Sequence, residues 1–222
     1  MAVVTAVLEA RSIHRFYHAG DEEVFALRDV SLAVEAGELV AITGPSGSGK
    51  STLLACLAGL DEPDGGTVLV AGERLSRRAE HERTAIRARS IGMLFQSANL
   101  IEHLTVAQNV VLAQRLAHRV ERAEVTALLA SVGLGARSTA FPSQLSGGEA
   151  SRAGLAVALA NHPAVVLADE PTGELDSGTE ADVLTLLRIH AGEGAAVVIA
   201  SHSPAVAAAA DRVLAVDDGK LA

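Results

Sequence analysis

Short apolar runs punctuated by glycine dominate the first third of the chain, and helical periodicity dominates its middle. Runs at 6–10, 26–34, 38–43 and 67–71 have the length and composition of strands, and Gly20, Gly37 and Gly65-Gly66 separate them. At 106–116 and 122–132 apolar positions recur at helical spacing, and Pro142 opens a new segment. Two unbroken apolar runs, 164–168 and 195–200, predict strands buried on both faces of a parallel sheet. The order predicts an α/β fold with a parallel-sheet core, a β-rich N-terminal part and a helical insertion at about 97–163. No repeat, low-complexity tract or linker divides the 222 residues, so one domain over 1–222 is expected.

Composition narrows the class. Hydrophobic residues make up 49%, yet the apolar run at 153–160 stops at Asn161, and the stretch from 195 is interrupted by Ser201, His202 and Pro204. Neither reaches the roughly 18 to 20 residues a membrane helix needs. The first eight residues carry no basic region and meet Glu9 at once, so a first strand is expected there rather than a signal peptide, and a cytoplasmic location with it. Lys and Arg total 18 against 27 Asp and Glu, a net charge of -9, which opposes broad attraction to nucleic acid. No nucleic-acid partner is expected. With one cysteine, Cys56, an internal disulfide and a Cys-rich metal site are excluded.

Phosphate must therefore be held locally, and one segment is suited to it. Gly44-Pro45-Ser46-Gly47-Ser48-Gly49-Lys50-Ser51 fits G-x-x-x-x-G-K-[ST] between the predicted strand 38–43 and a helical run at 51–60. The glycines let backbone N–H groups converge on phosphate oxygens, the helix N-terminus adds partial positive charge, and Lys50 neutralises the β- and γ-phosphates. Ser51 offers a hydroxyl to Mg2+, and Thr52 is placed for an α-phosphate oxygen. A flexible Gly/Ser turn would not need Lys followed by Ser at this offset.

Further motifs choose among NTPases. Leu145-Ser146-Gly147-Gly148-Glu149 closely resembles the LSGGQ signature of ABC ATPases; Asp169-Glu170 closes an apolar run as a Walker B segment does. Gly173-Glu174-Leu175-Asp176 is similar to the family's D-loop, Ser201-His202 to its switch histidine, Phe95-Gln96 to its Q-loop, and Tyr17 to its adenine-stacking aromatic. The motifs occur in the family order over the whole chain. The resemblance implies a P-loop NTPase core of the ABC type, an ATPase using ATP and Mg2+. Asp169 would support the metal together with Ser51 and Gln96, Glu170 would be the base, and His202 would sense the γ-phosphate. Ser146, Gly147, Gly148 and Glu149, with Asp176, would complete a site on the opposite subunit of a head-to-tail homodimer. Glu149 and Glu174 depart from the commonest residues at their positions, which bears on rate and coupling rather than on phosphate binding.

The segments 21–32, 99–106 and 168–173 look like the branch that includes macrolide-exporter, lipoprotein-release and cell-division ATPases. That branch implies a separate membrane permease partner, a place on the inner face of the cell membrane, and export or transmembrane mechanotransmission. The permease is expected to dock beside 96–105, with Leu100 as its test position. The competing readings are a soluble ABC ATPase of DNA repair or translation, and a non-transporting ATP-gated regulator of a membrane partner.

Overall fold

The computed structural model describes residues 6–19, 22–95, 99–173 and 175–222. In chain order come β1 (Ala6–Ala19), β2 (Glu22–Glu35), β3 (Leu39–Thr43), α1 (Lys50–Leu57), β4 (Gly65–Val70), β5 (Glu73–Arg74), α2 (Glu80–Ser90) and β6 (Ile91–Leu94). They continue with α3 (Val106–Leu116), α4 (Arg122–Ser131), α5 (Gly147–Leu159), β7 (Val165–Asp169), α6 (Ser177–Gly192), β8 (Ala196–Ala200), α7 (Pro204–Ala209), β9 (Arg212–Asp217) and β10 (Lys220–Leu221).

Two sheets result. One is antiparallel, in the order β2-β1-β4-β5; the other, in the order β10-β9-β3-β8-β7-β6, is parallel except for the β9–β10 hairpin. The central strands β3, β7 and β8 are apolar up to the terminal Thr43 and Asp169 because both faces are covered. Val40, Ile42, Val165, Leu167 and Val198 turn to the face holding Leu53, Leu54 and Leu57 of α1. Their neighbours Leu39, Ala41, Val166, Ala168, Val197 and Ile199 turn to Leu155 and Leu159 of α5 and Val183, Leu184 and Leu187 of α6. Each Val, Leu or Ile among them contributes roughly 1.5–3 kcal/mol by leaving water, so these two layers are the main force fixing the sheet. The antiparallel sheet joins the α1 layer through Leu8, Ile13, Leu27, Val30 and Val68.

The helical part has its own core, where Val106 and Val110 of α3 and Val125 and Leu129 of α4 meet Ala153, Ala156 and Ala160 at the α5 end. The small alanines of α5 let the helices approach closely, and the same helix turns Leu155 and Leu159 to the sheet. Helix α5 thus ties the helical part to the parallel sheet. The predicted strands and helices are present, with β1 and β2 longer than the sequence suggested. Seven pieces were not foreseen: β5, α2, β6, α6, α7 and the last two strands. Helix α2, EHERTAIRARS, buries only Ile86, so it lacks an apolar face that periodicity could reveal.

No helix among the described residues is long and apolar enough to cross a membrane. Leu100 is half-buried and packs against the helical core, whereas Ile101 is 37% exposed. The test position for docking therefore moves from Leu100 to its neighbour, since a charge at Leu100 would also strike the core.

Candidate active site

Parallel register brings the motif-bearing strand ends into line. Ile42 pairs with Ala200, and Ala200 with Asp169, so the residues that follow β3, β8 and β7 leave the same edge of the sheet side by side. Ligand sites of open parallel sheets form at that edge. Here a cavity of about 830 Å³ is lined by Gly44, Ser46, Gly47, Gly49, Lys50, Ser51 and Thr52, by Asp169, Glu170 and His202, and by Tyr17 from the antiparallel sheet.

The loop wraps its own lysine: Lys50 Nζ donates to the carbonyl oxygens of Gly44 and Pro45 at 2.8 and 3.0 Å. Gly49 caps α1 at φ 108, and a Cβ there would lie 2.4 Å from the Ala26 carbonyl oxygen, so only glycine lets the loop pass under β2. Ser48 is buried rather than cavity-lining, and its carbonyl accepts from the Gly219 N–H at 2.9 Å, which ties the loop to the β9–β10 turn.

Glu170 stands in the left-handed region at φ 46, held by its N–H donating to the Ala200 carbonyl at 2.8 Å. Strain of this kind persists where surroundings over-determine it. One carboxylate oxygen accepts from Ser201 Oγ at 2.9 Å, and His202 Nδ1 lies 2.9 Å from the other. Tyr17 is tethered as well: its hydroxyl donates to Asp61 at 2.6 Å, and the Arg15 guanidinium, bonded to the same carboxylate at 2.8 Å, sits 4.5 Å over the ring. Burial and the bond to Asp61 raise the Tyr17 hydroxyl above its usual range, so the ring stays neutral and is pre-oriented as a stacking face. Burial also pushes the Cys56 thiol up to about 12, which leaves it an inert core residue.

The signature residues and Asp176 are not in this cavity. Ser146 is the N-cap of α5; its hydroxyl accepts from the Glu149 N–H at 3.2 Å while Glu149 Oε2 accepts from the Ser146 N–H at 2.9 Å, a reciprocal capping box. Glu149 also accepts from Arg137 at 2.8 Å, and the guanidinium with the Ser146 N–H holds its carboxyl at about 2. Gly148 faces α6, where an added Cβ would meet Thr179 Cγ2 at 2.7 Å. Gly147 has open space about it. Asp176 caps α6, accepting from the N–H groups of Gly178 and Thr179 and from the Thr179 hydroxyl. Gln96 and Glu174 lie outside the described residues.

Comparison with known proteins agrees with this geometry. The family model described as ABC transporter matches residues 27–173. The chain belongs to the ABC transporter family. It is 43% identical, over 98% of its length, to the macrolide export ATP-binding/permease protein MacB of Salmonella paratyphi A (strain ATCC 9150 / SARB42), of which it covers 34%. MacB 1 of Yersinia pestis bv. Antiqua (strain Antiqua) is 44% identical, again with 34% of that protein covered. The chain therefore spans about a third of the length of these relatives. Among solved structures, the dimeric bacterial ABC transporter cassette MJ0796 superposes with a TM-score of 0.89 at 36% identity, 96% of each chain being covered. The same cassette in a post-hydrolysis state bound to ADP and Pi gives 0.90 at 35% identity.

Sequence reasoning did not find Arg15 and Asp61, which fix the aromatic of this ABC cassette from 46 residues apart, nor Arg137, which holds the signature glutamate. Phe25 and Arg28, from the branch-like segment 21–32, and the Asp218-Gly219 turn also line the cavity, though none was singled out as a site residue. Separation along the chain hides them, since each acts through a contact that only folding makes.

Proposed function

We propose that this cassette binds ATP with Mg2+ in the P-loop cavity, closes as a head-to-tail homodimer around two nucleotides, and uses hydrolysis to drive a membrane permease from the cytoplasmic face. The single observation behind this reading is the division of the motifs: P-loop, Asp169, Glu170 and His202 share one cavity, while the Ser146 helix N-terminus points its groups elsewhere. A second copy would bring that N-terminus, with its partial positive charge, to the γ-phosphate. The chain acts as one nucleotide-binding domain in this scheme, with the helical part at about 97–163 transmitting motion from Gln96.

Ser51 and Asp169 line the same cavity, a hard oxygen pair suited to Mg2+. Among the described residues no three His, Cys, Asp or Glu side chains converge on a metal position. When bound, the ion would neutralise charge on the β- and γ-phosphates. Lys50 would leave its loop carbonyls for those phosphates and stabilise the charge on the leaving ADP. Glu170 takes a proton from a water as its oxygen bonds to the γ-phosphorus and the bond to the β–γ bridging oxygen breaks, giving ADP and phosphate. His202, 75% exposed at its side chain, is free to turn from Glu170 towards the γ-phosphate.

The relatives named as macrolide export ATP-binding/permease proteins favour export among the possible uses of that motion. Size-exclusion chromatography with ATP and Mg2+ tests the core of the proposal. Glu170→Gln keeps shape and ATP contacts but lacks the base, so it should elute as a dimer; Lys50→Ala should lose turnover by at least about a hundredfold and stay monomeric. A Glu170→Gln chain that remains monomeric, or a Lys50→Ala chain with near-normal hydrolysis, defeats the reading.

A further inference from the structure

Beyond the motif residues, a short chain of hydroxyls connects the catalytic carboxylate to the helix that Asp176 begins. Ser201 is 1% exposed, and its Oγ donates to Glu170 Oε2 at 2.9 Å while accepting the Ser203 N–H at 3.1 Å. Ser203 Oγ accepts from the Ala205 N–H at 3.2 Å and donates to Glu180 Oε1 at 2.7 Å. Thr172 Oγ1, 4% exposed as a residue, donates to the same oxygen at 2.9 Å. A hydroxyl has one proton, and an ionised carboxylate accepts only. The donor directions are therefore determined: the Ser201 proton points to Glu170, the Ser203 proton to Glu180, and the turn 201–203 is clamped between two carboxylates.

We propose that Ser201 is a positioning residue for Glu170, and that Glu180 steadies it through Ser203. The proposal rests on Glu170 being the base. Its two carboxylate oxygens are held by unlike partners. His202 on one side is three-quarters exposed and can leave; Ser201 on the other is buried and cannot. Once His202 turns to the nucleotide, Ser201 is the side chain that keeps a strained residue, at φ 46, aimed at the attacking water. Angular precision of this kind affects the chemical step. Ser201 does not line the cavity, so it has no nucleotide contact of its own to lose. Glu180 lies four residues after Asp176 on α6, so movement of the D-loop helix at the dimer interface would reach the base through Ser203 and Ser201.

Steady-state kinetics with Ser201→Ala, Ser201→Thr and Glu180→Ala test this on the full chain with ATP and Mg2+. Ser201→Ala should lower kcat roughly ten- to hundredfold, the effect of losing a hydrogen bond to a charged group. Its KM for ATP should match the wild type, and it should remain folded at the assay temperature. On size exclusion it should accumulate ATP-bound dimer, because binding persists while hydrolysis slows. Ser201→Thr keeps the hydroxyl and should recover most of the turnover; Glu180→Ala should lower kcat less than Ser201→Ala. Wild-type kcat in Ser201→Ala, a rise in KM without loss of kcat, or equal losses in the Ala and Thr variants would overturn the assignment. Full turnover in Glu170→Gln would instead remove the base reading on which it stands, so the two failures are distinguishable.

Discussion

At the scale of single residues, the signature illustrates how a departure from the commonest pattern is absorbed. Glutamate at position 149 accepts the Ser146 N–H as glutamine could, and its extra charge is met by Arg137 and by the N-terminus of α5. Glu149→Gln should therefore change ATPase turnover by less than about threefold, since either residue closes the capping box. Ser146→Arg removes the cap and inserts a long cation where the partner's nucleotide would approach, and should cost at least about a hundredfold. One steady-state assay compares them; a larger loss from Glu149→Gln would invert the division of roles.

At the scale of elements, the sheet is stapled to α6 by a carboxylate. Asp211, just before β9, accepts the Leu39 N–H at 2.9 Å and pairs with Arg188 of α6 at 2.6 Å. The Arg188 guanidinium and the Leu39 N–H pull its carboxyl from 3.8 down to about 2. A depressed carboxylate stabilises the fold above its unfolded pKa, and that contribution is lost as pH falls through the folded value. Asp211→Asn should thus be less stable than the wild type at pH 5 to 7, by no more than about 1 kcal/mol because the pair is partly solvated. In urea unfolding the difference should shrink between pH 3.8 and about 2. A constant gap down to pH 2 would show that the ion pair is not its source.

At the scale of the whole molecule, the exposed Ile101 is the position at which the proposed permease docking is tested. Asn109, buried on α3, binds the turn before that helix, accepting from the Ile101 N–H at 2.7 Å and donating to the carbonyls of Leu104 and Thr105, so the turn and α3 move together. Ile101→Glu should abolish stimulation of ATPase by permease-containing native membranes while basal hydrolysis and melting temperature stay unchanged; retained stimulation would place the docking surface elsewhere. The sequence by itself determined the family and where the phosphate-loop motif, the strand-end pair Asp169-Glu170 and His202 fall. Those groups lie in short contiguous segments, so their spacing can be read along the chain. It also determined the doubly buried strands, because a β-strand covered on both faces has no polar position to show. Helix α2 stayed illegible for the opposite reason: it is charged over most of its length and buries one side chain, Ile86, too few to form an apolar stripe. Only the tertiary structure decided which side chains hold the functional ones. Arg15 meets Asp61 beneath Tyr17, Arg137 meets Glu149, and Ser201 meets Glu170 across 31 residues, because strand register and helix packing, not sequence distance, set those contacts.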